Sequence, residues 1–140
     1  MNNFEQPIMT AEQATYLAEH RWALLATTRT HGAPQVSMLA YHWNGADIVF
    51  SIRSTTSKWA NIKRQASVVV TVVDGEKYLS VAGNAERIVS DPDRIFLTER
   101  LRDSLLPVHF AALQADIDAG LDERQRVIIR VHPEGVVGRI

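Results

Sequence analysis

The chain has 140 residues, 46% of them hydrophobic, which is enough for one compact domain with its own core and too little for two ordinary ones. Fifteen Lys and Arg against sixteen Asp and Glu leave a net charge of -1 with no long basic stripe, so binding to a nucleic-acid backbone is not expected. There is no cysteine, which excludes disulfides, thiolate catalysis and thiolate metal sites and fits a reducing cytoplasm. The opening Met1-Asn-Asn-Phe-Glu-Gln-Pro7 has no basic region followed by an apolar one, and no apolar run approaches the ~18 residues of a membrane span. A soluble cytoplasmic protein is the expectation.

In chain order, Thr10 and Gln13 form a capping-box pattern, and Ala14, Leu17 and Ala18 continue it as the apolar stripe of a helix that stops near His20. Apolar segments at Trp22 to Thr28, Pro34 to Trp43 and Asp47 to Ile52 follow, separated by His31-Gly32 and Asn44-Gly45, so they read as an antiparallel meander. A short helix is predicted from Ser57 to Gln65. Ser67 to Val73 and Tyr78 to Val89 then form a hairpin across Asp74-Gly75, and Gly83 inside the second strand signals a bulge or a bend. Asp91-Pro92 opens a further helix that ends at Pro107, and Val108 to Ala119 is helical again. Arg126 to His132 and Val136 to Ile140 read as two last strands split by Pro133-Glu134-Gly135. The sum is a mainly β, α+β chain: a six- to seven-stranded antiparallel barrel with peripheral helices, closed to hide its edges.

The histidines at 20, 31, 42, 109 and 132 show no i, i+4 pair and no carboxylate at metal-ligand spacing, so no metal site is expected. The seven glycines form no Walker or Rossmann loop, and no Gly-x-Ser-x-Gly elbow exists, which removes support for kinase, nicotinamide-binding and hydrolase readings. The most informative stretch runs from Asp47 to Ile62, where an apolar strand ends in the hydroxyl-rich turn Arg53-Ser-Thr-Thr-Ser-Lys58 and enters a helix. Thr55, Thr56 or Ser57 can cap that helix while its first N–H groups point at an anion. Lys58 in the first turn opposes the helix dipole by a few tenths to about 1 kcal/mol, a placement that makes sense if an anion offsets it. A solvated basic turn has the same appearance.

Three segments then resemble the pyridoxamine-5'-phosphate oxidase-like, flavin-binding split β-barrel superfamily over about residues 10 to 90. They are Leu24-Leu25-Ala26-Thr27 leading to His31-Gly32-Ala33-Pro34-Gln35-Val36-Ser37, Phe50 to Ile62 with Lys58-x-x-Asn61-Ile62, and Val68-Val69-Val70 with Asp74-Gly75 and Tyr78-Leu79-Ser80-Val81-x-Gly83. The wording is most similar to the subgroup that uses the deazaflavin coenzyme F420, including its biliverdin-reducing branch. The resemblance implies a homodimer with the cofactor at the interface. It places Arg53, Ser57 and Lys58 near the ribityl phosphate with Asn61 one turn on, Pro34, Gln35, Val36, Ser37 and Met38 along the tricyclic ring, and Ser51 and Ile52 beside the ribityl chain. The implied activity is hydride transfer from reduced F420 to a small-molecule acceptor. The alternatives are an FMN oxidoreductase and a non-catalytic flavin- or deazaflavin-binding protein of the same fold.

True pyridoxamine-phosphate oxidases carry basic residues on the strand corresponding to Pro34 to Trp43, whereas this chain has Met38-Leu39-Ala40-Tyr41-His42-Trp43. Oxidation of phosphorylated vitamin B6 is therefore not expected, and an apolar, aromatic surface for a planar or hydrophobic acceptor is.

Overall fold

A computed structural model describes residues 7–88 and 125–140. The helices expected from Asp91-Pro92 to Pro107 and from Val108 to Ala119 lie outside the described residues.

The capping box at the start of α1 (Ala11–Glu19) forms as expected: the Gln13 amide donates to Thr10 Oγ1 at 3.1 Å and the Thr10 amide to Gln13 Oε1 at 2.9 Å. The helix buries Leu17 and Tyr16, whose hydroxyl donates to the Val72 carbonyl at 3.1 Å. Among the described residues, no helix is long and apolar enough to cross a membrane. Seven strands follow: β1 (Trp22–Thr27), β2 (Gln35–Ala40), β3 (His42–Trp43), β4 (Ile48–Arg53), β5 (Ser67–Asp74), β6 (Lys77–Ile88) and β7 (Arg126–Arg139), with α2 (Ser57–Arg64) between β4 and β5. They make one antiparallel sheet in the order β2-β1-β5-β6-β7-β4-β3. Period-two alternation turns Ala23, Leu25, Ile48, Phe50, Ile52, Val68, Val70, Val72, Leu79, Val81, Val127, Ile129 and Val131 into one core. Burying each of the larger side chains contributes ~1.5–3 kcal/mol. Val49, Ile88 and Ile128 form a second buried cluster on the other face of β4, β6 and β7.

Two strand boundaries differ from the sequence expectation. The segment from Pro34 to Trp43 is two strands, because Tyr41 drops into the core, sends its amide to the Arg21 carbonyl at 2.9 Å and its hydroxyl to the Leu17 carbonyl at 2.7 Å, and so leaves the ladder. β2 pairs with β1 while β3 pairs with β4, so this one residue joins the two ends of the strand order and curls the sheet into a split barrel. The C-terminal segment, expected as two strands, is one. Ala82 stands opposite Gly135 and Gly83 opposite Pro133, which makes Glu134 the extra residue of a bulge carried by β7. Proline is tolerated there because β4 pairs with β7 only as far as Val131, leaving one side of the strand free of ladder bonds.

The turns follow their sequence signals. Gly45 takes φ +97° in the β3–β4 turn, where Asn44 Oδ1 accepts the Ala46 and Asp47 amides. Gly83 is needed for a different reason: a Cβ there would lie 2.3 Å from the His132 carbonyl oxygen, closer than backbone can yield without shifting β7. Gly83→Ala is expected to cost about 1–3 kcal/mol, read as a lower urea midpoint at unchanged slope.

His20 closes α1 onto the β5–β6 hairpin, with Nδ1 2.7 Å from the Tyr16 carbonyl and Nε2 3.0 Å from Asp74 Oδ2. Burial lowers the pKa of this ring, but the Tyr16 carbonyl and the Asp74 carboxylate outweigh it and hold it above the ordinary value. The stabilisation from this clasp is complete below the unfolded pKa of about 6.5 and is lost as pH rises through the raised folded value. Asp74 is largely exposed, so the effect is screened. His20→Gln should be less stable than the wild type near pH 5.5, with the gap narrowing above about pH 8. Denaturant titrations at both pH values check this, and a gap independent of pH would mean that the ring acts through packing alone.

Candidate functional site

β4 leaves the core after Ile52, and its last residue, Arg53, points to the exposed outer face. The turn that follows is tied down by the Ser54 amide on the Gln125 carbonyl at 2.6 Å and by the Thr56 amide and hydroxyl on the Arg53 carbonyl at 3.2 and 2.7 Å. Thr56 is the N-cap of α2, yet its hydroxyl is used on Arg53 and makes no cap bond. Among the described residues, the first-turn N–H groups of α2 are thus left without a side-chain cap. The helix buries Trp59, Asn61 and Ile62, leaves Ser57 exposed and Lys58 half-buried at its start, and carries Lys63 and Arg64 in its last turn. Between Ile48 and Val73 there is no Asp or Glu, while Arg53, Lys58, Lys63 and Arg64 fall within that stretch. Among the described residues neither Arg53 nor Lys58 forms an ion pair.

The β4–β7 register adds a residue that sequence reasoning missed. Arg126 stands opposite Arg53 in the ladder, which brings a second guanidinium to the strand end before the turn. No local spacing could have found it, since the two residues are far apart in the chain.

The ring-side candidates sit on β2, at one edge of the sheet. Pro34 precedes the strand and is exposed. Gln35 and Ser37 share the core-side face of β2 with Leu39, whereas Val36 (59% exposed) and Met38 (69%) point outward. The outward pair is continuous across the register with Trp22 (58% exposed) and Leu24 on β1, Val69 and Val73 on β5, Tyr78 on β6 and Val137 on β7. This is an apolar sheet face open to solvent. Leu39 and Tyr41, expected to line a substrate surface, are instead core residues, and Trp43 packs against the core. Burial pushes the Tyr41 phenol well above its usual range.

The two candidate groups meet at α2. One turn after Lys58, Asn61 donates through Nδ2 to Thr27 Oγ1 at 3.1 Å and to Gln35 Oε1 at 3.0 Å, while its Oδ1 accepts from Arg64 at 3.4 Å. Arg64 is anchored by a second hydrogen bond to the Thr28 carbonyl. Both amide hydrogens of Asn61 are therefore used inside the protein. Ser51 lies on the outer face of β4 with Arg53, but the Ile52 side chain is in the core, so only its backbone is open to a ligand. A groove of about 340 Å³ between Glu12, Tyr16, Glu19 and Lys77 lies at the α1 end of the sheet and gathers none of these residues, so it is set aside as the site.

The profile of the pyridoxamine 5'-phosphate oxidase family matches residues 9–138, and the chain belongs to that family. A solved structure described as an F420 reductase is 30% identical, with a TM-score of 0.65 and coverage of 87% of this chain and 94% of its own. A conserved hypothetical protein of Mycobacterium tuberculosis has a TM-score of 0.79 at 18% identity, covering 99% of this chain and 88% of its own. An FAD- and haem-binding protein of Mycobacterium smegmatis has a TM-score of 0.75 at 16% identity, covering 96% and 72%. No curated protein sequence matches. At 18% and 16% identity the last two share the fold alone. The family match and the curled seven-stranded sheet together define the class as split-barrel proteins of the pyridoxamine 5'-phosphate oxidase type.

Replacing Asn61 by Leu removes both donors and strands Arg64 and Gln35 beside an apolar group. It is expected to destabilise the fold by about 1–3 kcal/mol, measured by chemical denaturation.

Proposed function

We propose that this protein is an F420H2-dependent reductase that works as a homodimer and passes a hydride to a small, planar or apolar acceptor. The observation that carries the reading is the pair Arg53 and Lys58, free of ion pairs among the described residues, at an N-terminus of α2 that no side chain caps. Such a turn is suited to a phosphate, because backbone N–H groups, helix dipole and two cations all favour an anion. The 30% identity to an F420 reductase favours the deazaflavin over FMN. FMN remains the alternative cofactor, since it offers the same phosphate to Lys58.

When bound, the cofactor supplies the hydride. The chain's part is to hold the phosphate with Arg53, Ser57 and Lys58, to support the ring along the β2 edge from Pro34 to Met38, and to exclude water. The exposed apolar face around Trp22, Leu24, Met38 and Val69 supports both the dimer and an apolar acceptor. A second copy covering it would enclose the β2 edge and so bring the cofactor to the interface. No side-chain nucleophile is needed, and proximity and orientation supply the rate enhancement.

Fluorescence titration of cofactor-free protein with F420 and with FMN tests the assignment: micromolar or tighter F420 binding with weaker FMN binding is expected. Lys58→Ala should weaken the preferred cofactor by about 1.5–3 kcal/mol, and unchanged affinity would remove the phosphate contact. Val69→Lys, in the middle of the apolar face, should turn a dimer into a monomer in analytical ultracentrifugation and lower cofactor affinity with it. A wild type that sediments as a monomer would overturn the dimer.

A further inference from the structure

We infer that Arg64, acting through Asn61, fixes Gln35 as a hydrogen-bond donor at the β2 edge, so that the ligand seated there presents an acceptor, a ring carbonyl or an unprotonated ring nitrogen, to that side chain. The inference rests on the reading of the β2 edge as the ring site and adds the polarity of its recognition.

An amide side chain can turn either way, and its orientation is settled by neighbours that have only one role. Arg64 is such a neighbour: a guanidinium donates and never accepts. It is held by the Thr28 carbonyl, and its other nitrogen faces Asn61 Oδ1. If Asn61 were reversed, its NH2 would meet the guanidinium donor to donor. Asn61 therefore turns Nδ2 to the opposite side, where one hydrogen goes to Thr27 Oγ1 and the other to Gln35. Thr27 cannot decide the matter, because a hydroxyl both donates and accepts. Gln35 must answer Nδ2 with its own oxygen, which leaves Nε2 as the end without an acceptor among the described residues. Asn61 is buried and its hydrogens are fully used, whereas Gln35 is half-exposed on an edge strand. Polarity set by a cation on α2 is thereby delivered to the open edge. Asn61, Thr27 and Arg64 are positioning residues, and Gln35 is the one that touches ligand.

Two measurements test this. In the cofactor-free protein, NOEs from the Asn61 side-chain amide protons should run to Thr27 and Gln35, and NOEs to Arg64 instead would overturn the relay. In titrations with F420 and FMN, Gln35→Met, which keeps length but cannot donate, should weaken the tighter ligand about tenfold. Arg64→Met should also weaken it, but should add less than twofold in the Gln35→Met background, because it acts only through Gln35. Gln35→Met binding as tightly as wild type overturns the donor role, and fully additive losses overturn the relay in favour of a direct charge effect of Arg64. Melting curves of each variant separate misfolding from lost affinity. A wild type that binds neither cofactor sinks the cofactor assignment and the acceptor-edged ligand with it, while the NOEs judge the amide orientation independently.

Discussion

The closure of the sheet depends on the burial of one residue, Tyr41. Its hydroxyl is committed to the carbonyl of Leu17 in α1 and its amide to that of Arg21, just before β1, and its ring is shut off from solvent. A buried phenol without a partner would lose several kcal/mol. Satisfying it at Leu17 fixes where α1 sits as well as where β2 ends. From that point the chain crosses to the opposite end of the strand order, so β2 and β3 become the two edges of one curled sheet. The edge character of β2, and hence everything proposed for Pro34 to Met38, follows from that crossing.

The other pole is organised by polar groups. α2 is short, and propensity alone would not hold eight residues in a helix. It is held by Trp59 and Ile62 in the core and by the amide of Asn61 bridging to β1 and β2. Because the helix is fixed from its buried side, its N-terminus can carry an arrangement that is unfavourable locally, with a lysine in the first turn and Arg53 just before it. An anion would remove those penalties together. The same helix thus ties the phosphate end of the proposed site to its ring end within a single turn, from Lys58 to Asn61.

The outward face of β2, β1, β5, β6 and β7 shows the opposite economy. Alternation puts Val36, Met38, Trp22, Leu24, Val69, Val73, Tyr78 and Val137 on one surface, while Thr71 and Ser80 satisfy one another across it at 2.7 Å.

Much of this was legible in the residues. The Thr10–Gln13 capping box, the Asn44-Gly45 and Asp74-Gly75 turns and the valine run of β5 each bring their own local physics, so α1, the hairpins and the strand itself could be read without tertiary context. The turn from Arg53 to Lys58 was legible as a basic, hydroxyl-rich entry to a helix for the same reason. The break at Tyr41 was not, because nothing near it in sequence breaks a strand; its partners are Leu17 and Arg21. Nor was the continuity of β7 through Pro133, which depends on a bulge opposite Gly83 and on β4 stopping at Val131. Spacing put Asn61 beside Lys58 on the helix, and only packing turned its amide inward to Gln35. The sequence by itself determined α1, α2, the hairpin turns and the charge of the α2 turn, since these rest on interactions within a few residues. Which edge lies open, which cations converge and which way Gln35 points were decided by the tertiary structure, because each depends on contacts between residues dozens of positions apart.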